Sequence, residues 1–84
     1  MPIEQMREKI DKIDARIVEL LAERVDLAKK IGQAKVKRGL PIRDEKREGE
    51  VLHRATELSG KTNLSKGFTK KIFEYIIEYS RENE

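Results

Sequence analysis

The sequence predicts an all-α fold of three helices, one long and two shorter, associating as a homodimer. Three observations carry this. Apolar residues recur in alternating steps of three and four, the helical period, with no alternating strand pattern anywhere. Glycine, proline and capping residues gather at two breaks, around residues 39–44 and 60–65. The first amphipathic stretch is also longer than a domain of 84 residues is wide.

The first helix runs from about Ile3 to Arg38. Ile3, Met6, Ile10, Ile13, Ile17, Leu20, Leu27, Ile31 and Ala34 form a heptad-like seam with one gap. Gly39 ends it, with Pro41 just beyond. The second helix follows Asp44, an N-cap, with Glu45 and Glu48 suited to the positive end of the helix dipole. Its apolar stripe is Val51, Leu52, Ala55 and Leu58, and Gly60 stops it. Ser65 caps the third helix, whose apolar side holds Phe68, Ile72, Phe73, Ile76, Ile77 and Tyr79.

Composition sets bounds. The chain reads as one domain over residues 1–84, 37% apolar and 42% charged, so it buries only a modest core alone. It has no cysteine, hence no disulfide or zinc-thiolate staple. The net charge of +3 is the difference of 19 basic and 16 acidic residues, with no basic block standing apart, which argues against nucleic acid as partner. No apolar run reaches the length of a membrane span and no signal peptide is visible, so a cytoplasmic location away from membranes is expected.

The first helix is a rod of roughly 54 Å at 1.5 Å per residue. A compact chain of this size is roughly 30 Å across. The rod would protrude with its seam exposed unless a second copy covered it. The alternative is an extended monomer with the second and third helices laid end to end along the first.

The seam breaks at Arg24, which stands where the heptad places an isoleucine. A buried guanidinium without an anion costs several kcal/mol, so Arg24 needs a partner. Either it is structural, as an ion pair with neighbours such as Glu23 or as a register-setting polar residue, or it binds an anionic ligand. Lys35, eleven residues on, returns almost to the same face, so Arg24 and Lys35 flank Ala28 and Ile31 about 16 Å apart. Two cations over an apolar floor suit a compact dianion with a hydrocarbon body. Arg7 is roughly 25 Å from Arg24 along the helix and reaches such a site only from a second subunit packed antiparallel. In the charged run 43–48, Asp44, Arg47 and Glu48 are expected to line the pocket, while Arg43, Glu45 and Lys46 face water. Ser80 and Glu84 lie one turn apart on the third helix and could close it. His53 has no metal-ligand spacing and no metal site is expected; Tyr75 and Tyr79 read as core or rim, and Gly32 as a point of close helix approach.

The segments "REKIDKID", "LLAER…LA…IGQAK", "PIRDEKRE" and "IFEYIIEYS" resemble an all-helical chorismate mutase of the AroQ class, in order from about Met6 to Glu84, polar positions included. The resemblance implies an isomerase carrying out the Claisen rearrangement of chorismate to prephenate, on the way to phenylalanine and tyrosine. It implies an intertwined dimer with two equivalent sites, each taking one arginine from the neighbouring subunit, and no cofactor. By position, the substrate-binding residues are Arg7 from the partner chain, then Arg24, Lys35, Asp44, Arg47, Glu48, Ser80 and Glu84, of which Arg24, Lys35 and Glu84 are catalytic. The resemblance gives Arg7 and Arg24 to the carboxylates and Lys35 to the ether oxygen and a carboxylate. Arg47 supports the anion field, and Glu48 takes the ring hydroxyl, helped by the backbone at Asp44. Ser80 hydrogen-bonds a carboxylate, and Ile31, Val51 and Ile77 form the walls.

Two positions depart from the family. Glutamine is common where Glu84 stands, and an ionised carboxylate cannot donate to the ether oxygen, so Glu84 must be protonated to help. As the last residue of the sequence it also brings a terminal carboxylate. Gly49 sits in the first turns of the second helix, at a cost of up to about 1 kcal/mol relative to alanine. Two other readings stand beside the mutase: an isochorismate pyruvate lyase-like enzyme with a similar pocket, and a non-catalytic regulatory or interaction module.

Overall fold

The computed structural model describes residues 2–82, which form three helices: α1 Ile3–Lys37, α2 Glu45–Ser59 and α3 Lys66–Glu82. Their bounds fall within about two residues of those read from the sequence. No strand occurs among the described residues.

The ends of the helices explain themselves. At the close of α1, Gly39 takes φ 67°, the left-handed region that penalises any side chain. Its N–H donates to Val36 O at 3.1 Å and the N–H of Leu40 donates to Lys35 O at 2.9 Å, a Schellman closure. The chain turns back so sharply that the Ile42 carbonyl meets the Lys35 ammonium. At α2, Asp44 Oδ1 accepts from the Arg47 N–H at 3.0 Å. At α3, Ser65 Oγ accepts from the Phe68 N–H at 3.3 Å.

Helices α2 and α3 form an antiparallel hairpin, with Ser59 beside Thr69 at one end and Glu48 beside Arg81 at the other. Hydroxyls knit the turn: Thr69 donates to Ser59 at 2.8 Å, Ser59 to the Leu64 carbonyl at 3.0 Å and Thr62 to the Ser59 carbonyl at 2.9 Å. Ala55 and Ile77 are the buried apolar residues of the hairpin, flanked by half-buried Val51, Leu52, Phe73 and Ile76. The end-to-end arrangement does not occur. Helix α3 touches α1 as well as α2, whereas the α1 and α2 backbones stay apart. The space between them is a groove.

Only the C-terminal part of α1 meets the hairpin. Residues 2–23 are all exposed, and the first half-buried position is Arg24. The molecule measures 56 × 23 × 16 Å with a radius of gyration of 15.9 Å, against about 12 Å for a compact chain of this length. Ile3, Ile10, Ile13 and Ile17 therefore stand in solvent at 48–62% exposure. Leu58, Phe68, Ile72 and Tyr79, placed by their period on apolar stripes, are also exposed. A body 16 Å thick has one interior face per helix, so stripes wider than that face remain uncovered.

Candidate functional site

The groove between α1 and α2 encloses a cavity of about 260 Å³, close to the lower end of the ~300–1,000 Å³ that small-molecule pockets occupy. One wall is α1, through Arg24, Leu27, Ala28, Ile31 and Lys35. The other is the start of α2, through Asp44, Arg47, Glu48 and Val51. Ile42 closes the end where the chain crosses from α1 to α2, and Ile77, Ser80 and Arg81 of α3 form the floor and the far end. Four cations face two carboxylates, a formal surplus of two positive charges over aliphatic walls.

Each polar group is held by a neighbour. Arg24 Nη1 donates to Ser80 Oγ at 3.0 Å. Of the readings open for Arg24, the ion pair does not occur among the described residues: its partner is a neutral hydroxyl at the pocket wall, a contact that fits a register-setting role and an anion-binding one alike. Ser80 is 5% exposed and accepts this bond with an oxygen lone pair, so its own O–H remains free to donate. Lys35 Nζ donates to the Ile42 carbonyl at 2.8 Å and keeps two further N–H groups.

The charged run 43–48 divides. Glu48 turns inward, its side chain 22% exposed. Arg43 and Glu45 lie outside, paired with each other at 3.6 Å, and Lys46 is exposed. Arg47 sits at the rim, reaching Glu50 at 3.6 Å while lining the pocket. Asp44 spends one carboxylate oxygen on the cap of α2.

Among the residues singled out from sequence, Arg24, Lys35, Asp44, Arg47, Glu48 and Ser80 lie around this one cavity. Arg7 does not: it is exposed near the far end of α1, paired with Glu4 at 3.3 Å. Glu84 lies outside the described residues. Ile31, Val51 and Ile77 do contribute apolar wall.

Arg81 was not anticipated. Its Nη2 and Nε donate to Glu48 Oε1 and Oε2 at 2.8 and 3.1 Å, a two-point fork across the hairpin. The hydrogen bond to Glu48 pushes the guanidinium further above its ordinary value, so it stays charged. The only hint in the sequence is adjacency: one helical step of about 100° turns residue 81 away from residue 80, so the two reach opposite walls. Ser80 grips α1 through Arg24, and Arg81 grips α2 through Glu48. No group of histidine and acidic side chains able to hold a metal occurs among the described residues.

Comparison with known proteins follows the same lines. The sequence model of the family described as "Chorismate mutase type II" matches residues 6–84. A chorismate mutase of Methanocaldococcus jannaschii is 38% identical over 77 residues, covering 92% of this chain and 78% of that protein. A bifunctional chorismate mutase/prephenate dehydratase of Escherichia coli (strain K12) is 38% identical over 79 residues; the match covers 94% of this chain but only 20% of the relative. Among solved structures, a chorismate mutase from Thermus thermophilus superposes with a TM-score of 0.86 at 32% identity, covering 93% of this chain and 96% of that one. With its fold and nearly its whole length shared, the chain belongs to the chorismate mutase type II family.

Proposed function

We propose that this protein rearranges chorismate to prephenate in the groove between α1 and α2. The observation that carries the reading is the surplus of two positive charges over aliphatic walls, which matches a compact dicarboxylate with a hydrocarbon ring. The reaction is unimolecular: the ether C–O bond breaks as a C–C bond forms, and the electrons move within one molecule. Chemistry of this kind asks the protein for two things. It must hold the flexible ether in its reactive chair, an orientation effect. It must also meet the negative charge that grows on the ether oxygen.

Arg24 binds one carboxylate, and the O–H that Ser80 keeps free donates to a carboxylate beside it. Lys35 turns its two remaining N–H groups to the ether oxygen and a carboxylate. Glu48 accepts from the ring hydroxyl, with the backbone at Asp44 assisting. Arg47 strengthens the cationic field from the rim. The resemblance assigns Glu84, outside the described residues, to the ether oxygen, where it would donate only when protonated.

The second carboxylate is met by Arg7 of the partner subunit in an intertwined homodimer. Two observations support this pairing. Arg7 lies about 25 Å along the rod from Arg24, beyond the reach of its own groove. The seam of α1 over the same stretch is apolar and uncovered. No described helix is long and apolar enough to cross a membrane, and the reaction is assigned to the cytoplasm.

The test is a chorismate-disappearance assay with product identification, run beside isochorismate. Prephenate from chorismate is the expected outcome. Salicylate and pyruvate from isochorismate, with chorismate untouched, would assign the groove to a lyase instead.

A further inference from the structure

We propose that Arg81 is a positioning residue, which fixes the carboxylate of Glu48 in the plane and direction that receive the ring hydroxyl of the substrate. The inference rests on the reading of Glu48 given above and adds to it a residue on a different helix. Glu48 stands in the first turns of α2, and nothing on α2 itself holds its carboxylate. A glutamate tethered only by its own backbone samples several rotamers. Arg81 removes that freedom. Its fork uses both carboxylate oxygens, at 2.8 and 3.1 Å, and a planar guanidinium so engaged sets the plane of its partner. An ionised carboxylate has about four lone-pair sites, so roughly two remain for a hydroxyl on the side away from Arg81. The second cation near Glu48, Arg43, stands 3.9 Å away on an exposed side chain and makes no fork. Arg81 is itself only one-third exposed, with Ser80 beside it anchored to Arg24. The orienting group is thus seated on the same helical turn that ties the two walls together.

A hydroxyl bond of this kind is present in the bound substrate and in the transition state alike. Its loss therefore appears in KM more than in kcat. In Arg81→Met we expect KM for chorismate to rise about tenfold and kcat to stay within roughly twofold. Arg81→Lys keeps the charge but not the fork, and should recover only part of the loss. The decisive measurement is the double-mutant cycle with Glu48→Ala. If Arg81 acts through Glu48, Arg81→Met adds little once Glu48 is absent. Folding of each variant is followed by circular dichroism and Tm; should Arg81→Met fail to fold, Arg81→Lys takes its place in the cycle. An equal effect of the Arg81 change with and without Glu48 would overturn the inference, because Arg81 would then touch the substrate itself. So would an unchanged KM in a folded Arg81 variant. A wild-type protein that leaves chorismate untouched removes the reading of Glu48 as well, whereas a wild-type protein that converts it alongside an additive cycle removes the role of Arg81 alone.

Discussion

At Arg24 the heptad and the proposed ligand ask for different residues. The seam asks for isoleucine, the groove holds a guanidinium, and its partner among the described residues is an uncharged serine. Such a charge is poised for an anion from outside the chain. Arg24→Ala should lower kcat/KM at least about a hundredfold, the worth of a desolvated charge-assisted contact. Unchanged turnover in the folded variant would show that the groove does not bind the substrate carboxylate there. Position 84 gives the opposite sign. A glutamine donates at every pH, whereas a glutamate donates only when protonated. Glu84→Gln should raise kcat/KM most at neutral pH and flatten a wild-type profile that climbs toward mild acid; superimposable profiles would mean that residue 84 does not meet the ether oxygen. Arg24, Lys35 and Ser80 were legible because each breaks or borders an apolar period along a single helix. Arg81 was not, because its significance lies in a partner 33 residues away on another helix. Helical spacing reports neighbours within a helix and is silent on pairs across one.

At the scale of the element, two glycines show how local conformation decides a substitution. Gly39 takes φ 67° in the closure of α1, with open space around it. A side chain there is opposed by backbone sterics alone, at about 1–2 kcal/mol. Gly39→Ala should lower Tm by roughly 4–8 °C per kcal/mol in a chain of this size. It should also loosen the turn that delivers the Ile42 carbonyl to Lys35. Gly49 lies inside α2, and a methyl group added there would meet nothing within 4 Å. Gly49→Ala should raise stability by about 0.5–1 kcal/mol by restricting the unfolded chain. Thermal unfolding of both variants beside the wild type checks the pair, and shifts of the same sign would contradict the backbone geometry. Helix bounds were readable because caps are local: Asp44, Ser65 and Gly39 act within a turn of themselves. The width of the buried faces was not. Leu58, Phe68 and Ile72 have the right period but stand beyond the strip one neighbouring helix covers.

At the scale of the whole molecule, the rod length legible in the seam is realised as a body 56 Å long and 16 Å thick. What covers the seam in the proposed dimer can be tested without seeing it. Arg7→Ala and Arg24→Ala chains should each be nearly inactive alone. Mixed and allowed to exchange, they form heterodimers in which one site holds both native arginines and the other neither, so activity returns to at most about half per heterodimer. No recovery after proven exchange would place Arg7 outside the partner's site.

The exposed N-terminal half of α1 carries one more consequence, and it concerns mass action. In the proposed dimer neither chain holds a complete set of carboxylate-binding cations by itself. Specific activity is then a function of protein concentration, falling on dilution below the dissociation constant of the dimer and returning on concentration. Stability follows the same law, since association withdraws folded chains from the unfolding equilibrium. Tm should rise with protein concentration, and saturating substrate, by bridging the two chains at each site, should delay dissociation on dilution.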